Sequence, residues 1–142
     1  MAGQQQRKNI SRTFVLVETA APETVLGFYT LSVSEVSRGS LPNPHRLPER
    51  VPVVRLGRFA VQAALQGKGL GERLLLNALE RIVEISQNAG IAAVVVDAKD
   101  ARAADYYRRF DFVAAPDTPL QLFIATQTLQ QAFRRVAGSA SG

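Results

Sequence analysis

The sequence predicts a single domain of the α/β class (α+β in some classifications), with a mixed sheet and flanking helices. Three observations support this fold class. The chain has 142 residues, enough for one substantial core, and it shows no internal repeat and no second domain. An apolar strand, a glycine-rich turn, an amphipathic helix and a second apolar strand follow one another, which is the pattern of a βαβ unit with a parallel strand pair. Two further strands that precede this unit form a predicted antiparallel hairpin.

The hairpin and a long loop make up the first third of the chain. Residues 1–12 are polar and basic and form an N-terminal segment outside a predicted domain at 13–137. The hairpin strands are predicted at 13–18 and 25–33, where β-branched and aromatic residues are frequent. Glycine, serine and most of the prolines collect in residues 34–49, so this segment is predicted to be a surface loop.

The strand predicted at 53–61 is apolar enough to lie in the centre of the sheet. Gly57 inside it indicates a bulge or a close approach of another backbone. Arg55 and Arg58 fall on opposite faces of a regular strand. At least one of them is therefore expected either to reach a cleft or a carboxylate, or to form a structural ion pair.

The firmest predicted helix runs over 70–87, and Gly90 is expected to end it in a left-handed conformation. Its apolar residues recur at spacings of three and four, which indicates one face buried in a core. A buried strand is predicted at 91–96. Because ligands bind at the carboxyl ends of parallel strands, the glycine-rich turn and residues 97–100 are expected to face one crevice.

Four short elements and a tail are predicted in the last third of the chain. Asp100 is a good N-cap for a helix at 101–109. Strands are predicted at 112–114 and 120–125, and an amphipathic helix at 126–136. Residues 138–142 are small and are expected to form a flexible tail.

The glycine-rich turn spans Gln66-Gly67-Lys68-Gly69-Leu70-Gly71. Three glycines at a strand-to-helix junction let several N–H groups turn toward one point in front of the positive end of a helix dipole, which suits a phosphate or pyrophosphate. The P-loop pattern is absent, and the dinucleotide pattern fails because the third glycine comes one residue early. An ordinary glycine-rich turn remains the alternative.

Composition excludes several classes of site. There is no cysteine and one histidine, His45, in a proline-rich stretch, so thiol chemistry and Cys or His metal clusters are excluded. No metal is expected. The sequence has no apolar run that could cross a membrane and no signal-peptide core, which predicts a cytoplasmic protein. The net charge of +5 favours anionic partners, although it could also serve solubility alone.

The glycine-rich turn resembles the pyrophosphate loop Gln/Arg-x-x-Gly-x-Gly/Ala of GNAT-family N-acetyltransferases, which bind acetyl-CoA. Residues 103–112, Ala-Ala-Asp-Tyr-Tyr-Arg-Arg-Phe-Asp-Phe, resemble a second GNAT motif, Ala-x-x-Phe-Tyr-x-x-x-Gly-Phe. Segments 27–32, 56–61, 94–100 and 119–124 are similar to the GNAT toxins of type II toxin–antitoxin modules. The resemblance runs from about residue 13 to residue 133.

This resemblance implies a GNAT fold and an acetyl-CoA-dependent enzyme. Toxins of this type acetylate the α-amino group of the amino acid on a charged tRNA and are neutralised by a ribbon-helix-helix antitoxin. Acceptors of two other kinds, a small amine or a protein N-terminus, remain open alternatives. So does a truncated, inactive domain that binds CoA or an antitoxin. The open sheet edge is compatible with a homodimer.

The resemblance also implies roles for individual residues. Tyr107 takes the place of the general acid that protonates the CoA thiolate, and Tyr106 takes the place of a phenylalanine beside it. The main chain of Phe59, Ala60 and Val61 would pair with pantetheine. The pyrophosphate would lie on Gln66, Gly67, Lys68, Gly69, Leu70 and Gly71, with Asp100 at the same crevice. Lys68 and Arg73 could meet phosphates or simply be solvated.

The sequence departs from the family pattern in three places. The family has a strand and two helices before the hairpin, which shape the acceptor side of the cleft, whereas here residues 1–12 precede it. Asp111 replaces a glycine, and aspartate tolerates a positive φ better than most residues do. Ala63 and Ala64 stand where toxins are often basic. Arginines 108, 109, 134 and 135, with Arg55 or Arg58, are expected to form either a basic surface for tRNA or antitoxin or a solvated face.

Overall fold

A six-stranded mixed sheet forms the centre of the protein in a computed structural model, which describes residues 11–42, 47–62, 67 and 69–141. The spatial order of the strands is β1-β2-β3-β4-β6-β5, with β3 and β4 parallel and every other neighbouring pair antiparallel. The strands are β1 (Ser11–Glu18), β2 (Ala21–Ser37), β3 (Arg50–Val61), β4 (Ala93–Asp97), β5 (Val113–Ala114) and β6 (Gln121–Ala125). The helices are α1 (Leu70–Ala89), α2 (Ala101–Arg108) and α3 (Thr126–Ser141).

The predicted hairpin is confirmed, but the loop predicted at 34–49 is too long. Strand β2 continues to Ser37 because Ser34–Ser37 pairs with the start of β3, with Val36 opposite Val51. A single 3₁₀ turn, Arg38–Ser40, follows it. Glycine, serine and proline in residues 34–49 suggested a loop, but the polar residues of Ser34–Ser37 occupy exposed or half-exposed positions of a strand whose Val36 packs on buried side chains.

The two faces of the sheet carry separate clusters of buried side chains. All three helices contribute to the larger cluster, in which Leu75 and Ile82 of α1 meet Val94 and Leu122 of the sheet. The smaller cluster, on the opposite face, contains Val53, Val95 and Phe123 with Leu41 from the segment after β2. The face that the helices leave open therefore has an apolar cluster of its own on the central strands.

The predicted βαβ unit is confirmed, and its helix ends as expected. Helix α1 runs to Ala89, and Gly90 ends it with φ of 65°. In the described residues no helix is long and apolar enough to span a lipid bilayer.

Strand β3 contains the bulge that Gly57 indicated. Gly57 lies opposite Thr30 and Ala60 opposite Phe28, so two residues of β3, Arg58 and Phe59, face one residue of β2. The left-handed residue of this bulge is Arg58, with φ of 43°, and not Gly57. The extra residue shifts the alternation, so Phe59 packs on the helix-side core and Arg58 is exposed.

Two predictions about the C-terminal part have different outcomes. Asp111 adopts φ of 72°, the conformation expected of a residue in the place of a glycine. The tail predicted at 138–142 is helical through Ser141, because α3 continues past residue 136. Small residues such as alanine and serine suggested a tail, but alanine has the highest helix propensity of all residues.

Candidate functional site

A cleft opens where β3 and β4 separate. The two strands are paired from Val53↔Ala93 to Leu56↔Val96, and beyond that pair β3 continues along β2 as far as Val61. Among the described residues, strand pairing on the β4 side of β3 ends at Leu56. The resulting cleft has a volume of about 670 Å³. We call the end at Leu56 and Val96 the apex of the cleft.

Most of the predicted site residues line this cleft. They come from the end of β3, the glycine-rich turn, the start of α1, and α2 with its N-cap: Phe59, Ala60, Val61, Gly67, Gly71, Asp100, Tyr106 and Tyr107. Gly69, which is the N-cap of α1, and Leu70, which is its first residue, are not among the residues that line the cleft. Gln66 and Lys68, like His45, Ala63 and Ala64, lie outside the described residues.

Backbone conformation explains the glycines of the turn. Gly67 and Gly69 have φ of 82° and 79°, values that residues with a side chain rarely adopt. Space among the described residues is not the constraint, because a Cβ at either position would meet none of their heavy atoms in a neighbouring segment within 4 Å. The turn delivers the chain to the N-terminus of α1, where backbone N–H groups and the helix dipole favour an anion. This end of the cleft is the glycine end.

Tyr107 is held on α2 by aromatic neighbours. Its ring lies edge-on to Phe112, with centroids 5.6 Å apart, and edge-on to Tyr106 at 5.5 Å. Burial raises the pKa of Tyr107 to about 12, and Tyr106 contributes in the same direction. The phenol is therefore neutral over the whole physiological range and able to donate a proton.

Tyr106 places a buried hydroxyl near the glycine end. Its oxygen has no hydrogen-bond partner among the described residues. That oxygen lies 3.7 Å from the position that a Cβ on Gly71 would occupy. The ring is fixed edge-on to Phe110 at 5.3 Å and carries the Arg109 guanidinium 5.5 Å from its centroid. Burial raises the pKa of Tyr106, Glu72 adds to the rise, and Arg109 opposes it.

Asp100 has a structural role that the sequence predicted. Its carboxylate accepts a hydrogen bond of 2.8 Å from the backbone N–H of Ala103 and caps α2. The cap fixes the start of the helix that carries Tyr106 and Tyr107. Asp100 also lines the cleft, at the connection between β4 and α2.

Several lining residues were not singled out in the sequence. The most notable is Asp97, the last residue of β4, accompanied by Lys99 and Arg102. The rule that strand ends face a crevice identified segment 97–100 but not the individual side chains. Asp97 forms an ion pair with Arg55. A structural ion pair was one of the roles expected for an arginine of β3.

The predicted basic surface is only partly available. Arg108 is paired with Asp105 at 2.7 Å, Arg109 lies over Tyr106, and Arg55 is paired with Asp97. Arg58, Arg134 and Arg135 are exposed. In the described part of the chain, no group of three or more His, Asp or Glu residues is arranged to hold a metal ion.

Comparisons with known proteins identify a matching family and similar toxins. The family model described as Acetyltransferase (GNAT) domain matches residues 4–122. The chain is 38% identical over 116 residues to the tRNA-acetylating toxin of Mycobacterium tuberculosis (strain ATCC 25618 / H37Rv), covering 80% of this chain and 68% of the relative.

Two solved structures illustrate the similarity of the fold. AtaT complexed with acetyl-methionyl-tRNAfMet has a TM-score of 0.81 and 29% identity, and the match covers 92% of this chain and 79% of that chain. A tyrosine-to-phenylalanine mutant of AtaT, bound to the C-terminus of the antitoxin AtaR and to acetyl-CoA, has a TM-score of 0.73 and 29% identity. That match covers 94% of this chain and 78% of the other.

Proposed function

Since the chain belongs to the GNAT family of acetyltransferases, we propose that it transfers the acetyl group of acetyl-CoA to the α-amino group of an aminoacyl-tRNA and so acts as a toxin that blocks translation. The observation that carries the proposal is that Tyr107 lines the same cleft as Gly67 and Gly71 of the glycine-rich turn. A side chain able to donate a proton and glycines at the N-terminus of α1 are thereby combined in one crevice.

The residues of the cleft fit acetyl-CoA. The positive-φ glycines and the N-terminus of α1 provide N–H groups and a dipole for a pyrophosphate. From Leu56 to Val61, β3 extends for roughly 17 Å along the cleft, at about 3.3 Å per residue. The main chain of Phe59, Ala60 and Val61 would hold pantetheine along this length. Acetyl-CoA, when bound, supplies the thioester whose acetyl group is transferred.

Tyr107 would supply the one proton that the departing sulfur needs. An α-amino group has a pKa near ~7.7–8.0, so much of it is already neutral at cellular pH and needs no strong base. Its nitrogen forms a bond to the acetyl carbonyl carbon, and the carbon–sulfur bond breaks with its electron pair going to sulfur. The Tyr107 hydroxyl gives its proton to that sulfur, the nitrogen releases one proton to solvent, and Tyr107 is reprotonated from solvent.

Three further features belong to the same proposal. The partners are a charged tRNA and an antitoxin, which the positive net charge and the AtaT complexes support. The resemblance to toxins of type II modules implies that this antitoxin is of the ribbon-helix-helix type. The activity would take place in the cytoplasm, where charged tRNA is used. Strand β1 lies at an edge of the sheet, so it offers a surface through which the toxin domain at 13–137 could form a homodimer.

The proposal is tested by the release of free CoA thiol from acetyl-CoA with total charged tRNA, deacylated tRNA, free amino acids or peptides as acceptors. We expect release with charged tRNA alone. Tyr107→Phe should lower kcat by about 10²- to 10⁴-fold, the usual contribution of a general acid. Tyr106→Phe, assayed at saturating acetyl-CoA, is the matched control for kcat, because it removes the same atom from the neighbouring ring. Turnover of peptides or free amines, but not of charged tRNA, would refute the proposed acceptor.

A further inference from the structure

A polar cluster of Arg55, Asp97 and Gln121 lies at the apex of the cleft. An Arg55 N–H donates to Asp97 Oδ2, and Gln121 Nε2 donates to Asp97 Oδ1 at 3.2 Å. The three residues come from β3, β4 and β6, so the cluster spans the centre of the sheet. Asp97 lines the cleft and its side chain is 56% exposed. The carboxylate is thus fixed on two sides and open to the cleft.

Asp97 and Tyr107 come to the cleft from opposite sides of the sheet. Asp97 is the first residue of β4 after the last pair with β3, Leu56↔Val96. Val94 and Val96 face the helices, and by alternation Val95 and Asp97 face the other way. Tyr107 belongs to α2, which packs on the helix side. An acetyl group held at the apex would then have Tyr107 on the helix side of the sheet and Asp97 on the open side.

On the basis of the proposed function, we propose that Asp97 binds the acceptor amine, with its carboxylate accepting a hydrogen bond from an N–H of the α-amino group. The amine would attack from the open face of the sheet, and the sulfur would leave toward Tyr107. The new bond to nitrogen would thus form on the open-face side of the carbonyl carbon, and the proton would reach the sulfur from the helix side. Arg55 and Gln121 are positioning residues, since they act only through Asp97.

The charge of the cluster suits this task. A carboxylate has about four lone-pair sites, and the two contacts to Arg55 and Gln121 leave others free. An uncompensated carboxylate would raise the pKa of the bound amine and hold it as an unreactive ammonium ion. Arg55 neutralises the charge of Asp97, so the pair is neutral as a whole. It can orient the amine while leaving its lone pair available.

The first arm of the test measures binding and requires no turnover. The dissociation constants of total charged tRNA and deacylated tRNA are compared in the presence of CoA, for the wild-type chain and for Asp97→Asn. The wild-type chain should prefer charged tRNA, and Asp97→Asn should lose about tenfold of that preference, because a charge-assisted hydrogen bond to the carboxylate is replaced by a weaker one to an amide oxygen. Affinity for CoA itself should change by less than about twofold.

Asp105→Asn is the matched control, since Asp105 is also an exposed carboxylate paired with an arginine, Arg108, but does not line the cleft. The second arm measures kcat/KM for charged tRNA, which should fall by about tenfold or more in Asp97→Asn and stay unchanged in the control. If wild type and Asp97→Asn prefer charged tRNA to the same degree, Asp97 does not have the proposed role. The same conclusion follows if Asp97→Asn loses affinity for CoA as well as for charged tRNA. If charged tRNA is preferred but never acetylated, the proposed function fails while the role of Asp97 stands.

Discussion

Replacing Tyr106 by phenylalanine should stabilise the protein without CoA and weaken its response to CoA. The hydroxyl of Tyr106 is buried and has no partner among the described residues. A buried polar group without a hydrogen bond costs about 1–3 kcal/mol. Tyr106→Phe removes that cost and keeps the ring contacts with Tyr107 and Phe110. We therefore expect the free energy of unfolding of the CoA-free protein to rise by about 1 kcal/mol.

The effect on CoA should have the opposite sign. The hydroxyl lies close to Gly71 at the glycine end of the cleft, where the pyrophosphate or the adjoining pantetheine would pass. Burial raises the pKa of Tyr106, so the group is a neutral donor. A ligand acceptor that satisfies this donor gains a hydrogen bond of about 0.5–1.5 kcal/mol, or more if the acceptor is charged. The dissociation constant of CoA should thus rise by about three- to tenfold in Tyr106→Phe.

Thermal unfolding with and without CoA measures both quantities, because a ligand that binds only the folded state raises Tm by linkage. For a chain of this size, about 1 kcal/mol corresponds to a rise in Tm of about 2–5 °C. Tyr107→Phe serves as control, since the Tyr107 hydroxyl is not among the buried atoms without a partner in the described part of the chain. A Tyr106→Phe protein that unfolds at a lower temperature than wild type without CoA would refute the argument.

Three further changes test other parts of the fold. Burial raises the pKa of Tyr107 from 10.0 to about 12, so the unfolded chain loses this proton at a lower pH than the folded chain does. The contribution of Tyr107 to the free energy of unfolding is therefore complete below pH 10 and falls by up to about 2–3 kcal/mol between pH 10 and 12. Denaturant titrations should show this loss in wild type and a smaller one in Tyr107→Phe. Gly27→Ala should cost about 1–3 kcal/mol in the same titrations, because its Cβ would lie 2.8 Å from the Ala60 carbonyl oxygen of the neighbouring strand. Asp100→Ala should lower Tm by about the 2–5 °C that correspond to the loss of a cap worth about 1 kcal/mol, with Asp117→Ala as an exposed control.

The parts of the fold that depend on local sequence were predicted well. The stripe of apolar residues on α1, the N-cap at Asp100 and the positive φ at Asp111 follow from rules that act within a few residues. The βαβ unit then follows from the order of its elements, because a parallel pair requires a crossover. Together these rules predicted the crevice and most of the residues that line it.

Features that depend on register between distant strands were not predicted. The extension of β2 to Ser37 requires its pairing with β3, which no local pattern of Ser34–Ser37 reveals. The Arg55–Asp97 pair joins residues 42 positions apart and needs the parallel register of β3 and β4. The lack of a partner for the Tyr106 hydroxyl among the described residues is likewise a property of packing, since the sequence shows only a tyrosine in the place of a phenylalanine.

The bulge in β3 connects the fold to the chemistry. Up to Leu56 the strand is bound on both sides, and the extra residue at Arg58 follows only two positions later. A bulge bends its strand and increases the local twist. Beyond Leu56, where the pairing with β4 ends, β3 keeps its pairing with β2 as far as Val61. The same extra residue moves Phe59 onto the helix-side core and leaves Arg55 on the open face. One inserted residue thereby places Phe59 on the helix side of the sheet, in the wall of the cleft that Tyr107 also lines.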